Sequence, residues 1–81
     1  MATTKHTITP TVLEREDGMA MLRLANGMWA IRAPIAGQAR FWDGLYWVVS
    51  SRINTASGIW PLRFQFEAVN AAAILEVLEA P

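Results

Sequence analysis

Three dipeptides, Asp17-Gly18, Asn26-Gly27 and Asp43-Gly44, each lie between apolar runs rich in strand-forming residues. Such pairs tolerate the positive φ angles of tight hairpin turns, so three of them in 81 residues point to an antiparallel meander. Reading each as a two-residue loop sets a register, because the flanking residues face each other and side chains alternate between the two sides. Around Asn26-Gly27, Leu24 then opposes Trp29, Leu22 opposes Ile31 and Ala20 opposes Ala33 on a core face. Met21, Arg23, Ala25, Met28, Ala30 and Arg32 fall on a mixed face. Around Asp17-Gly18, Leu13 opposes Leu22 and Thr11 opposes Leu24, extending the same core. Val12, Glu14 and Glu16 join the mixed face, with Glu14 diagonal to Arg23 as a surface ion pair.

Beyond Ala33-Pro34 the stretch PIAGQ reads as a loop leading into a second hairpin, RFWDGLYWVVSSRI. A turn at Asp43-Gly44 puts Arg40, Trp42, Leu45, Trp47 and Val49 on one face and Ala39, Phe41, Tyr46 and Val48 on the other. A helix over 38–52 is disfavoured, since a mid-helix glycine costs roughly 1 kcal/mol and Trp, Tyr and Val prefer strands. After the loop NTASG, the run IWPLRFQF alternates Trp60, Leu62, Phe64 and Phe66 onto one face and reads as a further strand. Pro61 cannot donate to a ladder, which places that strand at an edge or starts it after the proline. From Glu67 the period changes: Ala71, Ile74, Leu75 and Leu78 form a helical stripe, widened by Val77, with Glu76 and Glu79 towards water. Asn70 as the cap, or Glu67 starting the helix a turn earlier, both fit. The expected fold is therefore α+β. An antiparallel sheet of about five strands (an N-terminal three-stranded meander, a second hairpin, a further strand) carries one C-terminal helix on one face. It forms a single domain over residues 1–81, with residues 1–7 frayed.

A domain of this size hides only about 60–65% of the surface its unfolded chain exposes, so its stability needs support. The absence of cysteine excludes disulfides and thiolate metal sites and leaves packing or self-association to supply it. With 53% hydrophobic and 17% charged residues the chain is a folder, not a disordered tail. Neither a signal peptide nor a membrane span is recognisable in it, so the cytoplasm is the expected location. Net charge is zero but unevenly spread. Residues 18–66 carry Arg23, Arg32, Arg40, Arg52 and Arg63 against Asp43, a balance of +4, between acidic ends.

One short helix covers one sheet face, so the second hairpin should display surplus aromatic surface. Trp29, Trp60, Phe64 and Phe66 belong to the helix-covered core on this reading. Either Trp42 with Trp47, or Phe41 with Tyr46, then forms an anchor patch, since Trp, Tyr and Arg dominate binding hot spots. The alternative is that the sheet curls or a loop folds over it, making all the rings internal. Catalysis has little to work with. His6, the lone histidine, sits in the polar N-terminal stretch, Glu14 and Glu16 share a strand face, and Ser50, Ser51 and Ser57 lack a partner base. No enzyme activity, metal or cofactor is expected.

Two binding classes remain. Sheet arginines beside aromatics fit single-stranded nucleic acid, but a pI near 6.5 suits phosphate neutralisation poorly. A protein-binding module is favoured, with Arg23, Arg32, Arg40, Arg52, Trp42 and Trp47 as partner-binding residues, and homodimerisation left open. The layout of a short polar MATTKHTITP, the glycine-turned hairpins LANGMW and FWDGLYW, no catalytic set and the small acidic helix FEAVNAAAILEVLEAP resembles the small orphan proteins of bacteriophages and prophages, of which anti-CRISPR proteins are a prominent group. That resemblance is one of size and style and carries no residue over. It implies a phage-encoded, non-enzymatic inhibitor, working in the bacterial cytoplasm, that docks on a CRISPR effector complex or nuclease and blocks DNA binding or cleavage. Many such inhibitors mimic DNA with an acidic surface, whereas the basic middle here would favour docking led by arginine.

Overall fold

The computed structural model describes residues 12–34, 36–55 and 57–81. The expectations placed on residues 1–7, on His6 and on a Thr11–Leu24 pairing lie outside them. Five short strands follow one another in chain order: β1 (Val12–Glu14), β2 (Ala20–Arg23), β3 (Trp29–Arg32), β4 (Arg40–Trp42) and β5 (Trp47–Val49). They pair antiparallel in the order β1-β2-β3-β4-β5, and one helix, α1 (Ala68–Val77), follows. The α+β meander is thus the one expected from the three turn dipeptides, with the meander and second hairpin supplying all five strands.

The registers of the first two hairpins differ from the two-residue reading. Each loop holds three residues, Glu16-Asp17-Gly18 and Ala25-Asn26-Gly27. They are closed by Arg15 N–H donating to the Met19 carbonyl at 2.7 Å and Leu24 N–H donating to the Met28 carbonyl at 2.7 Å. The last loop position requires positive φ, which Gly18 (+90°) and Gly27 (+88°) supply at no Cβ cost. The extra residue slips the ladder by one. Met21 faces Ile31, Leu22 faces Ala30, Arg23 faces Trp29 and Leu13 faces Met21. A slip of one exchanges the faces of a strand, so Trp29 and Ile31 share a side with Met21, not with Leu22 and Leu24. Glu14 consequently meets Arg32, at 3.7 Å across Ala20, and not Arg23. In the third hairpin the loop is Gly44-Leu45, and Trp42 pairs with Trp47, Phe41 with Val48 and Arg40 with Val49. This register is shifted by two, which leaves the expected partition of those side chains between the faces intact.

Both faces of the sheet are covered. On one, Met19, Met21, Trp29, Ile31 and Ala33 pack against Ala71 and Leu75 of α1, with Trp42, Trp47, Phe66, Ile74 and Leu78 around them. The helix stripe is as read from its spacing, except that Val77 is 78% exposed. Glu67 takes the N-cap position and Asn70 lies inside the helix. On the other face, Ala30, Phe41, Ile53 and Phe64 form a second cluster, joined by Leu22, Leu24, Ala39, Val48 and Trp60. The cover here comes from residues 50–55 and 57–66, which form 3-10 turns at Ser50–Arg52 and Leu62–Phe64 in place of a strand. The run IWPLRFQF contributes only one antiparallel bridge to the sheet, where Trp29 and Phe66 exchange N–H to carbonyl bonds of 2.7 Å each. Trp60 and Phe64 therefore lie on the opposite side of the sheet from Trp29 and Phe66.

Candidate functional site

The strap over the second face is held from below by aromatic packing. Phe41 meets Trp60 edge-on at 4.8 Å between centroids, and Trp60 meets Phe64 at 6.2 Å. Side-chain amides hold it at the end of the sheet: Asn26 Nδ2 donates to Gln65 Oε1 at 2.8 Å, and Gln65 Nε2 donates to the Trp60 carbonyl at 2.6 Å. Between the Asn26 turn and this strap a cleft of about 160 Å³ opens, lined by Leu24, Ala25, Asn26, Gly58, Ile59, Trp60 and Gln65. Ile59 is 69% exposed at its rim, and Leu62, on the neighbouring 3-10 turn, is 84% exposed. Pro61 places Leu62 there. It has extended dihedrals and no N–H to give, so the chain turns immediately after it, and Phe64 goes inward while Leu62 goes out. Arg63 spreads its guanidinium over the Phe64 ring, 4.7 Å from the centroid.

The residues expected to bind a partner are not assembled into one patch. Arg23 ends β2 on the helix side, opposite Trp29, at the same end of the sheet as the Asn26 turn. Arg32 emerges on the other side, half-buried and paired with Glu14. Arg40 starts β4 at the far end and lines a second hollow of about 290 Å³ with Pro34, Ala36, Gln38, Ala80 and Pro81. Arg52 is exposed on the 3-10 turn after β5. Trp42 and Trp47 stack edge to face at 5.3 Å and are half-buried against the helix-side core. None of the four tryptophans is exposed; Trp29 is buried and the other three are half-buried. The expected surplus of bare indole is absent because the sheet has two covers. Exposed apolar surface on the second hairpin comes instead from its tip, where Leu45 and Tyr46 stand out at 76% and 70%.

No protein-family model, curated protein or solved structure matches this chain. A hollow of about 160 Å³ falls short of the roughly 300–1,000 Å³ of small-molecule sites, and suits a single apolar side chain. Among the described residues no three His, Cys, Asp or Glu side chains come together, and no helix is long and apolar enough to cross a membrane. The sequence reading missed this site because it treated Trp60 to Phe66 as an alternating strand. The signal for a turn was Pro61 inside an i, i+4 aromatic pair, Trp60 and Phe64.

Proposed function

We propose that this chain is a non-enzymatic protein-binding protein that seats an apolar side chain of a larger partner in the cleft between the Asn26 turn and the strap. The observation that carries this reading is Ile59, largely exposed, at the rim of a hollow backed by Trp60, with the exposed Leu62 on the 3-10 turn that follows in the chain. An exposed apolar group at the rim of a small concavity backed by an aromatic ring has the composition of an interface hot spot. The likeness to small phage proteins of the anti-CRISPR group would make the partner a CRISPR effector complex or nuclease, and the outcome a block of DNA binding or cleavage. Arg23, Arg40 and Arg52 then contribute singly as rim contacts, since they occupy both ends of the sheet.

A cleavage assay with a purified CRISPR nuclease, its guide and target DNA tests the finer reading. Increasing amounts of the protein should slow cleavage, and Ile59→Lys, at the rim of the cleft, should lose the effect with an unchanged melting temperature. Undiminished cleavage by a panel of such nucleases at saturating protein sets that class of partner aside. A nucleic-acid module is disfavoured by the same geometry, because Arg23 and Arg32 diverge to opposite faces and no indole is free to stack on a base. The anisotropy of a labelled single-stranded oligonucleotide is expected to stay flat at low salt.

A further inference from the structure

The outer edge of β5 is unpaired in a way that fits a second copy of itself. In the β4–β5 hairpin, Asp43 N–H donates to the Tyr46 carbonyl at 3.0 Å and Ser50 N–H to the Ala39 carbonyl at 2.8 Å. The two-residue period of a ladder then makes Phe41 and Val48 the hydrogen-bonded pair between them, so the main-chain groups of Trp47 and Val49 point away from β4. The Val49 carbonyl, as cap of the following 3-10 turn, accepts that turn's first internal bond. Among the described residues no hydrogen bond reaches the Trp47 N–H, the Trp47 carbonyl or the Val49 N–H. Natural edges are blunted by charge, proline or a bulge, and Trp47–Val49 carries none of these, whereas the opposite edge strand β1 ends in Glu14.

We infer that two copies of this chain pair antiparallel through β5, with the two-fold axis at Trp47, to give one continuous sheet. Trp47 offers one outward donor and one outward acceptor, which are satisfied by the same two groups of its symmetry mate. On that register Val49 would face Leu45 of the second copy, and the groups already used on each side oppose one another. These are the Leu45 N–H, which donates to Asp43 Oδ1 at 2.8 Å, and the Val49 carbonyl. Tyr46 would lie against Val48 of the second copy, an aromatic and β-branched cross-strand pair, which gives its exposed ring a cover. The antiparallel sense also brings the Asp43 end of one arm alongside the Arg52 end of the other, opposite charges, where a parallel strand would stack like with like.

Light scattering across a concentration series reads the proposal directly. The wild-type mass should double as concentration rises. Val49→Pro should hold the monomer mass over the same range, since φ −63° and ψ 137° at Val49 already suit proline, while the outward N–H is removed and a ring is set on the edge. Val49→Ala, which keeps that N–H, should dimerise as the wild type does. Because the chain has no cysteine, Tyr46→Cys and Val48→Cys give a clean second readout that does not depend on Val49→Pro folding. Mixed under oxidation they should form a disulfide between the two variants, while Val48→Cys alone should not cross-link to itself. A wild type that stays monomeric at every concentration, including one that binds a foreign strand while doing so, overturns the inference. So does a Val49→Pro dimer equal to wild type, or cross-linking by Val48→Cys alone in preference to the mixed pair. Ile59→Lys leaves this edge untouched, so failure here and failure of the cleft reading are separable.

Discussion

Asp43 holds the tip of the second hairpin by one oxygen: Oδ1 accepts the N–H of Leu45 at 2.8 Å and of Tyr46 at 2.6 Å. Those two donors, Tyr46 first, and the nearby Arg63 charge hold its carboxyl below the usual carboxylate range. A pKa lower in the folded than in the unfolded state adds stability that is complete above the unfolded value and is lost as pH falls through the folded one. The urea midpoint should therefore fall on acidification through and below the ordinary carboxylate range, and Asp43→Asn, which keeps the acceptor without the charge, should flatten that fall. Asp43→Ala should cost about 1 kcal/mol at neutral pH. Asp17 works the same way at the first turn, where the Arg15 guanidinium depresses its carboxyl and Oδ1 accepts Met19 N–H at 3.1 Å. Arg15 has a second task. Its Nη1 donates to the Leu78 carbonyl at 2.7 Å and also to that of Leu75, satisfying the otherwise open carbonyls at the helix C-terminus. Arg15→Met should lower stability by about 1–2 kcal/mol in urea unfolding, with a loss of helical ellipticity that a surface arginine such as Arg52 would not produce.

At the scale of elements, the turns were legible and their length was not. Asp-Gly and Asn-Gly announce a hairpin because they permit positive φ, yet the same dipeptide closes two-residue and three-residue loops. Register is normally settled by an apolar face opposite a polar one, and here Met21 beside Leu22 and Ala30 beside Ile31 are apolar on both faces, so a slip of one changes little in the pattern. Gly18→Ala tests this turn: at φ +90° a side chain is strained, while its Cβ would meet Pro34 Cβ at an ordinary contact of 3.4 Å. It should destabilise the protein by about 1–2 kcal/mol through that dihedral. The helix was legible from its stripe because only one of its faces meets the sheet. The strap was not, since Trp60, Leu62, Phe64 and Phe66 alternate as a strand would, and only Pro61 argues otherwise.

For the molecule as a whole, covering a five-stranded sheet on both sides divides 81 residues between two small cores. Phe64, in the strap-side core, is the largest fully buried side chain among the described residues. Phe64→Ala should cost about 3–5 kcal/mol, a large part of the roughly 4–12 kcal/mol available to a domain of this length. Circular dichroism melting should show a much lowered or absent transition, and retention of the wild-type melting temperature would mean the strap is not part of the folding unit. The same two-cover design decides which apolar groups stay exposed. A sheet with one cover would leave tryptophan bare, and with two the exposed apolar groups include Ile59 and Leu62 of the strap and Leu45 and Tyr46 at the hairpin tip.

The reach of Arg15 from the first turn to the last carbonyls of α1 spans 63 residues of chain. Neither end of that clasp can open alone without stranding its partner's polar groups. Amide exchange in the Glu16–Gly18 turn and in the final turn of α1 should therefore slow and quicken in step as denaturant is added, though nearly the whole chain separates them.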